Sequence, residues 1–194
     1  MKNIYLVRHC KYENPDNMMP GRLPVPLSEE GKKQAEKIAD YFTDKRIEKI
    51  VNSAVLRCKQ TSKIISNGKI PITYDKRLLE TTSAYQGYSF RDRKLEWHVF
   101  YRHTEELGGE TLNDVQKRMI SFWQELIKGS ESRVIISSHG DPLYCLNAYL
   151  KKEPLIDPVG YLLENDDYYW VKGTVVKVKI DDEENSIISS PIEF

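Results

Sequence analysis

The chain has 194 residues, 40% of them hydrophobic, which is enough to bury one substantial core. Lysine plus arginine and aspartate plus glutamate each number 29, so the formal net charge is zero. A neutral chain has no overall field that would attract nucleic acid or an anionic membrane, so any anion site must be local. We therefore expect one domain over residues 1–194.

The cysteines indicate a reducing compartment. Cys10, Cys58 and Cys145 are odd in number, lie far apart and form no Cys-x-x-Cys pair. This pattern favours free thiols. The apolar stretch at the N-terminus is too short for a signal peptide, and no apolar run reaches 18 residues. The sequence thus predicts a soluble cytoplasmic protein without membrane or nucleic-acid partners, and it leaves the oligomeric state open.

The first strand is predicted close to the N-terminus. Residues 4–7 are apolar without polar alternation, which is typical of a central strand buried on both faces. Arg8 and His9 follow at its carboxyl end, where open α/β sheets place ligands. Residues 12–26 contain four prolines and must form a loop. Ser28, followed by two glutamates, predicts the start of a helix.

A second strand and helix come next. Residues 49–52 predict a short strand, and Ser53 is placed to cap a helix that carries Arg57 near its start. Residues 70–74 are compatible with a further strand. Over residues 81–107 the periodicity is lost and aromatic residues are interleaved with charges. This segment is predicted to be a lid or pocket wall.

The next predicted helix and strand bring a second histidine to a strand end. Thr111 and Asp114 predict a capping box in front of a strongly amphipathic helix. Residues 134–136 predict a buried strand that ends in Ser-Ser-His139, and Asp141-Pro142 is expected to open a helix.

The C-terminal segment predicts the edge of the sheet. Residues 176–180 alternate apolar and basic side chains, as in a half-exposed strand, and residues 185–190 are placed to pair back with it. Together with the preceding alternation of strands and helices, this predicts an α/β fold: a three-layer α/β/α sandwich with a mostly parallel central sheet and an antiparallel edge strand.

Three predicted positions converge in such a fold. Parallel strands present their carboxyl ends together, so His9, His139 and the helix start with Arg57 would meet at one edge of the sheet. Helix N-termini at that edge favour an anion. Guanidinium groups bind phosphate oxygens in a bidentate manner, so phosphate is the natural ligand.

Six blocks of the sequence, taken in order, resemble the histidine phosphatase superfamily, which is also called phosphoglycerate mutase-like. They run from the first strand to residue 140. The blocks are Arg8-His9, residues 21–31, residues 52–61, Leu79-Glu80, residues 108–111 and Ser138-His139-Gly140.

The resemblance implies a mechanism through a phosphohistidine. His9 would be the nucleophile, Arg8, Arg57 and His139 would hold the phosphoryl oxygens, and Glu80 would donate a proton to the leaving oxygen. A neutral imidazole that attacks in line divides one difficult displacement into two easier ones. The resemblance implies no metal and no cofactor, and its substrate would be a small phosphomonoester.

Some assignments stay open at this point. Glu110 competes with Glu80 for the role of acid. Arg22 would either bind the substrate or form a salt bridge within its loop. Pro24 and Ala54 replace the family's usual aspartate and proline.

Cys10 stands where the family usually has glycine. It places a side chain beside the nucleophile, and we include Cys10 among the expected substrate contacts. Because Cys10 and Cys58 each adjoin a predicted site residue, a further hypothesis is that oxidation of these thiols lowers activity.

Other kinds of site fit the sequence less well. Ser137, Ser138, His139 and Asp141 lie on one short turn and cannot all aim at one another, and a nucleophile-elbow motif is missing. His98 and His103 are five residues apart, which misses a helical face, so they suit a lid better than a metal site.

Three functions are compared. A phosphatase is favoured because the segment 81–107 is compact, whereas the related mutases have extra segments that enclose the intermediate. A phosphoglycerate mutase-type phosphoryl transfer is one alternative. A non-catalytic phosphate- or phosphopeptide-binding domain is the other, and only the unusual Cys10 supports it.

Overall fold

The computed structural model describes residues 1–89, 101, 104–156, 169–181 and 185–194. Its strands are β1 (Lys2–Arg8), β2 (Lys49–Asn52), β3 (Ile72–Tyr74), β4 (Arg133–Ser138), β5 (Val175–Ile180) and β6 (Ser186–Ile188). Its α-helices are α1 (Glu29–Phe42), α2 (Leu56–Ser66), α3 (Leu112–Lys128) and α4 (Gly140–Lys151), and a 3₁₀ turn covers Lys76–Leu78.

The strands form one sheet in the order β3-β2-β4-β1-β5-β6. The first four of these pair in parallel, while β5 is antiparallel to β1 and β6 is antiparallel to β5. The predicted α/β fold with a mostly parallel sheet is confirmed. Its antiparallel edge consists of two strands.

Each face of the sheet is covered by a pair of helices. Side chains alternate between the faces along a strand, so Ile4 and Leu6 of β1 pack with α3 and α4, whereas Tyr5 and Val7 pack with α1 and α2. This explains why β1 shows no polar alternation in sequence. Among the described residues, none of the helices combines the length and the apolar character that crossing a bilayer requires.

The helix starts follow local capping signals in two cases. Ser28 accepts a hydrogen bond from the N–H of Gly31, and Thr111 and Asp114 form the predicted capping box. The predicted cap of α2 is wrong: Val55 occupies the N-cap position and no side chain caps it there. The Ser53 hydroxyl is used by the site described below.

Gly31 lies where the start of α1 meets the loop after β1. A Cβ at this position would overlap the Lys11 carbonyl oxygen, which already accepts a hydrogen bond from the N–H of Ser28. In an open helix, Gly→Ala stabilises by about 1 kcal/mol through helix propensity. We expect Gly31→Ala to act in the opposite direction and to destabilise the protein by about 1–3 kcal/mol, because the backbone at Lys11 or at the start of α1 must move.

Urea unfolding would measure this effect, with Lys37→Ala on the exposed face of α1 as the control, for which a change within about 0.5 kcal/mol is expected. A Gly31→Ala variant at least as stable as the parent would contradict the close packing.

Candidate active site

The register of β1 and β4 brings the two strand-end histidines together. Arg8 pairs with Ser138 in the parallel ladder, and the N–H of His9 donates to the Ser138 carbonyl at 3.0 Å. The imidazoles of His9 and His139 follow directly, with ring centroids 5.2 Å apart. Both side chains are buried.

One backbone contact fixes the proton on His9. Its Nδ1 lies 2.9 Å from the carbonyl oxygen of Cys10. A carbonyl oxygen only accepts, so Nδ1 carries the hydrogen and Nε2 keeps its lone pair. The Nε of Arg57 donates to this Nε2 at 3.0 Å. His9 therefore presents an unprotonated nitrogen toward a cation.

The surroundings keep both imidazoles neutral. Burial lowers the pKa of His9 well below its usual value, and the positive charges of Arg57 and Arg8 lower it further. The pKa of His139 is lowered well below its usual value by burial, and then by the charge of Arg57. A neutral imidazole at physiological pH is the form that can attack phosphorus.

Arg57 lies at the centre of the cluster. Its Nη2 donates to the Gly21 carbonyl at 2.8 Å and to Nδ1 of His139 at 2.9 Å. Within the described part of the chain, two buried guanidinium nitrogens lack a hydrogen-bond partner, Nη1 of Arg57 and Nε of Arg8. Donors that are buried, charged and unpaired are costly unless an anion binds them.

Glu80 adds a carboxyl that holds a proton near neutral pH. Its Oε2 lies 3.6 Å from Nη2 of Arg57 and 3.7 Å from Nδ1 of His139. Burial, and then the negative charge of Asp141, raise the pKa of Glu80 to about 7, although Arg57 opposes the shift. This value suits a residue that donates and then accepts a proton.

Glu110, the competing carboxylate, is held by hydrogen bonds outside the His9–Arg57 cluster. Burial alone would raise the pKa of Glu110. Hydrogen bonds from Arg118 and from the N–H of Thr82 nevertheless hold this pKa below its ordinary value. Its Oε2 also accepts from Nη2 of Arg22 at 2.8 Å, and Nε of Arg22 donates to the Glu80 carbonyl at 2.7 Å. Of the two predicted roles of Arg22, the structure shows the loop salt bridge, which also holds the backbone of Glu80.

The expected contact between the Cys10 thiol and the substrate needs correction. The side chain is fully buried in the apolar layer between the sheet and α1. Burial raises the pKa of the Cys10 and Cys58 thiols to about 12. Since the thiolate is the reactive form, the structure does not favour the oxidation hypothesis either. Cys10 contributes its backbone: the carbonyl orients His9, and the N–H donates to Thr61 Oγ1 at 3.1 Å.

Ser53 is a site residue that the sequence reasoning assigned to another role. Its Oγ lies 2.8 Å from Nε2 of His139. Because Arg57 donates to the opposite ring nitrogen, Nε2 of His139 carries the hydrogen and donates it to Ser53. The signal that could have found it is position, since Ser53 directly follows β2 at the same sheet edge.

A cavity of about 640 Å³ opens in front of the cluster, and Arg8 and Glu80 are among its lining residues. Asp141 also lines it, and its Oδ1 accepts hydrogen bonds from the hydroxyls of Tyr101 at 3.0 Å and Tyr169 at 2.8 Å. The ring of Tyr169 lies beneath the Arg8 guanidinium, 4.9 Å from Cζ. Sequence reasoning missed this group.

The donor atoms of His9, Glu80 and His139 lie within 4.8 Å of one another, a spacing that could hold a metal ion. However, the Arg57 guanidinium already donates to one nitrogen of each imidazole and brings a permanent positive charge. With Arg57 in its centre, the cluster therefore suits an anion better than a cation. His98 and His103 lie outside the described residues, as does much of the predicted lid, residues 90–100 and 102–103.

The end of the parallel sheet thus carries the groups of an enzyme of phosphoryl transfer. They are an unprotonated imidazole nitrogen, a clamp of guanidinium groups and a carboxyl with a pKa of about 7. Residues 4–182 match the family model described as histidine phosphatase superfamily (branch 1). The chain belongs to this superfamily, and the resemblance found in the sequence is confirmed.

Similar proteins include enzymes with two kinds of activity in their names. The chain is 30% identical over 159 residues to phosphoserine phosphatase 1 of Hydrogenobacter thermophilus, covering 75% of each protein. It is 29% identical over 157 residues to "Probable phosphoglycerate mutase GpmB" of Enterobacter sp., covering 75% of this chain and 73% of that protein. Among solved structures, Bacillus stearothermophilus YhfR has the same fold, with a TM-score of 0.82, 24% identity and coverage of 98% of this chain and 96% of that one.

The hydrogen bond from His139 to Ser53 can be tested by removing the hydroxyl. We expect Ser53→Ala to lower kcat for p-nitrophenyl phosphate about 10- to 100-fold, because a buried imidazole N–H loses its acceptor and its orientation. Ser137→Ala is the matched control: this hydroxyl is equally buried, and among the described residues it makes no hydrogen bond to His139.

Turnover of the two variants would be compared together with their urea unfolding. If Ser53→Ala and Ser137→Ala retain the same kcat, Ser53 does not position His139.

Proposed function

We propose that the protein hydrolyses a small phosphomonoester through a phosphohistidine formed on Nε2 of His9. The observation that carries the proposal is the state of this nitrogen. The Cys10 carbonyl holds the only ring hydrogen on Nδ1, and Nε2 points its lone pair at the Arg57 guanidinium, which is where a phosphoryl group would be held.

In the first step the phosphate dianion enters the cluster and takes over the guanidinium donors. The buried, unpaired Nε of Arg8 and Nη1 of Arg57 suit its equatorial oxygens. Nε2 of His9 attacks phosphorus as the ester P–O bond breaks, and the electron pair of that bond leaves with the ester oxygen. Glu80 supplies the proton that neutralises this oxygen.

The second step uses the same groups in reverse. Glu80, now a carboxylate, takes a proton from a water molecule, whose oxygen attacks the phosphoryl group. The N–P bond breaks, its electron pair returns to Nε2 of His9, and inorganic phosphate is released. Glu80 ends protonated and His9 neutral, so the site is ready for another cycle.

His139 can serve this cycle by exchanging tautomers. In the state described, its Nδ1 accepts from Arg57 and cannot donate to a phosphate. The Ser53 hydroxyl both donates and accepts, so it can bind Nε2 of His139 in either tautomer. When a phosphoryl group engages Arg57, Nδ1–H of His139 becomes a third donor to its oxygens.

Hydrolysis rather than transfer to a second hydroxyl is proposed because little chain lies between Glu80 and Gly108 to enclose the intermediate. The names of the relatives include both activities. Product analysis with an added acceptor alcohol would distinguish them: release of inorganic phosphate independent of acceptor supports hydrolysis, and phosphorylated acceptor as the main product supports transfer.

The nucleophile can be tested by trapping. With a ³²P-labelled monoester and an alkaline quench, we expect the parent protein to carry label that is stable to base and lost in acid, as a phosphoramidate is. His9→Ala should carry no label, and its turnover should fall by at least about 10³-fold, since this variant lacks the nitrogen on which the proposed phosphohistidine forms.

The assay would be run with and without chelator, and circular dichroism would show that His9→Ala is folded. Ser137→Ala serves as a labelled control. Wild-type turnover by His9→Ala would refute the proposed mechanism.

The pH profile should report the proton on Glu80. The acid form decreases as pH rises through the pKa of about 7, so kcat/KM for an alkyl phosphate should decline above that pH. We expect Glu80→Gln to lose about 10²- to 10⁴-fold with an alkyl phosphate and to lose the alkaline decline. Its first step with p-nitrophenyl phosphate should suffer much less, because that leaving group needs no proton.

Glu110→Gln is the comparison variant, since it removes the competing carboxyl. It should keep the decline above about pH 7. An alkaline limb that persists in Glu80→Gln and disappears in Glu110→Gln would assign the acid to Glu110.

A further inference from the structure

The cavity beside the phosphoryl site contains a lysine that forms no ion pair with the described part of the chain. Lys172 is partly buried and lines the cavity together with Arg8 and Glu80. The structure records no ion pair between Lys172 and any described residue. Lys11, which lines the same cavity, differs because it is paired with Glu30.

The charge of Lys172 is held in an unfavourable environment. Burial, and then the positive charges of Arg8, Arg57 and Lys11, lower its pKa to about 8. The ammonium lies over the ring of Tyr12, 5.1 Å from Nζ to the centroid. Such a contact is weaker than an ion pair, so the ammonium remains available to an incoming anion.

The backbone around Lys172 is fixed relative to the nucleophile. The N–H of Gly173 donates to the His9 carbonyl at 3.2 Å, and the Lys172 carbonyl accepts from Gln34 of α1 at 3.3 Å. The Tyr12 ring that Lys172 contacts also lies 5.4 Å from Cζ of Arg57. Lys172 is thus adjacent to the His9–Arg57 cluster without being hydrogen-bonded into it.

We propose that Lys172 binds a carboxylate on the alcohol part of the substrate, so that the preferred substrates are phosphate monoesters of short hydroxy acids. The inference rests on the proposed function and deepens it. A carboxylate fits better than a second phosphate, because Lys172 is the one described lysine of the cavity wall without an ion pair, and the cavity is also lined by the acidic groups of Asp141 and Glu193. Neutralising the ammonium would relieve its repulsion by Arg8 and Arg57.

The test compares two esters that differ only in the second group. One is the phosphate monoester of 3-hydroxypropanoate, and the other is 3-hydroxypropyl phosphate, in which a neutral CH₂OH replaces the carboxylate. We expect kcat/KM of the parent protein to favour the carboxylated ester about 10-fold or more, the range of a charged hydrogen bond. Lys172→Met should remove this preference and change turnover of the neutral ester less than about two-fold, whereas Lys172→Arg should keep it.

Lys11→Met is the matched control, since it also removes a lysine from the cavity wall but one that already has a partner. It should keep the ratio between the two esters. An equal loss on both esters in Lys172→Met would place Lys172 in the phosphoryl clamp and overturn the proposal. So would the absence of a preference in the parent protein, or a stronger Lys172-dependent preference for propane-1,3-diol bisphosphate.

A binding measurement separates this inference from the mechanism. In the His9→Ala background no phosphohistidine is needed, and calorimetry should show that Lys172→Met weakens binding of the carboxylated ester about 10-fold and leaves the neutral ester unchanged. If neither ester is hydrolysed by the parent protein but this difference in Kd is found, the proposed function fails and the role of Lys172 stands. If hydrolysis depends on His9 and the Kd values do not differ, the proposed function stands and the role of Lys172 fails.

Discussion

The site depends on one permanent cation held between two imidazoles. An arginine keeps its charge in a buried site, whereas a histidine can lose its proton. Burial lowers the pKa of both His9 and His139, and the charge of Arg57 lowers it further. Because Arg57 donates to both rings, a lone pair of each is directed toward it. A phosphate dianion can replace those lone pairs as the acceptor of the same donors. The positive charges that, together with burial, keep His9 neutral are therefore those that would hold its target.

Negative charge favours the protonated form of Glu80, whereas positive charge favours the neutral form of the two histidines. Glu80 lies near Arg57, which favours its ionised form, but burial and Asp141 favour the protonated form and prevail. A bound dianion would add further negative charge beside Glu80 and so increase its affinity for the proton. In the proposed mechanism, substrate binding would thus favour the protonated Glu80 that the leaving oxygen needs. In the proposed mechanism, Glu80 becomes a carboxylate once it has given its proton to the leaving oxygen. This carboxylate would lie close enough to the phosphoryl group to accept a proton from water.

The sequence predicted the features that depend on chain order and missed those that depend on contacts between distant segments. His9, Arg57 and His139 follow strand ends, and parallel pairing must bring such ends together. Ser53 is ambiguous locally, because a serine in front of a helix looks like a cap; only the approach of His139 from β4 gives its hydroxyl another partner. The role proposed for Lys172 could not be predicted either. The sequence does not show that this lysine lines the cavity or that it forms no ion pair with the described residues.

Cys10 shows why a departure from the family pattern need not change the chemistry. Cys10 lies beyond the end of β1, where the strict alternation of side chains stops, and its thiol lies in the apolar layer with Val7 and Ala35. A glycine is required where φ is positive, and Cys10 is not among the residues with positive φ. The contact that orients His9 uses a carbonyl oxygen, which every residue has. The thiol, with its pKa of about 12, stays protonated and does not compete with Nε2 of His9, the proposed nucleophile.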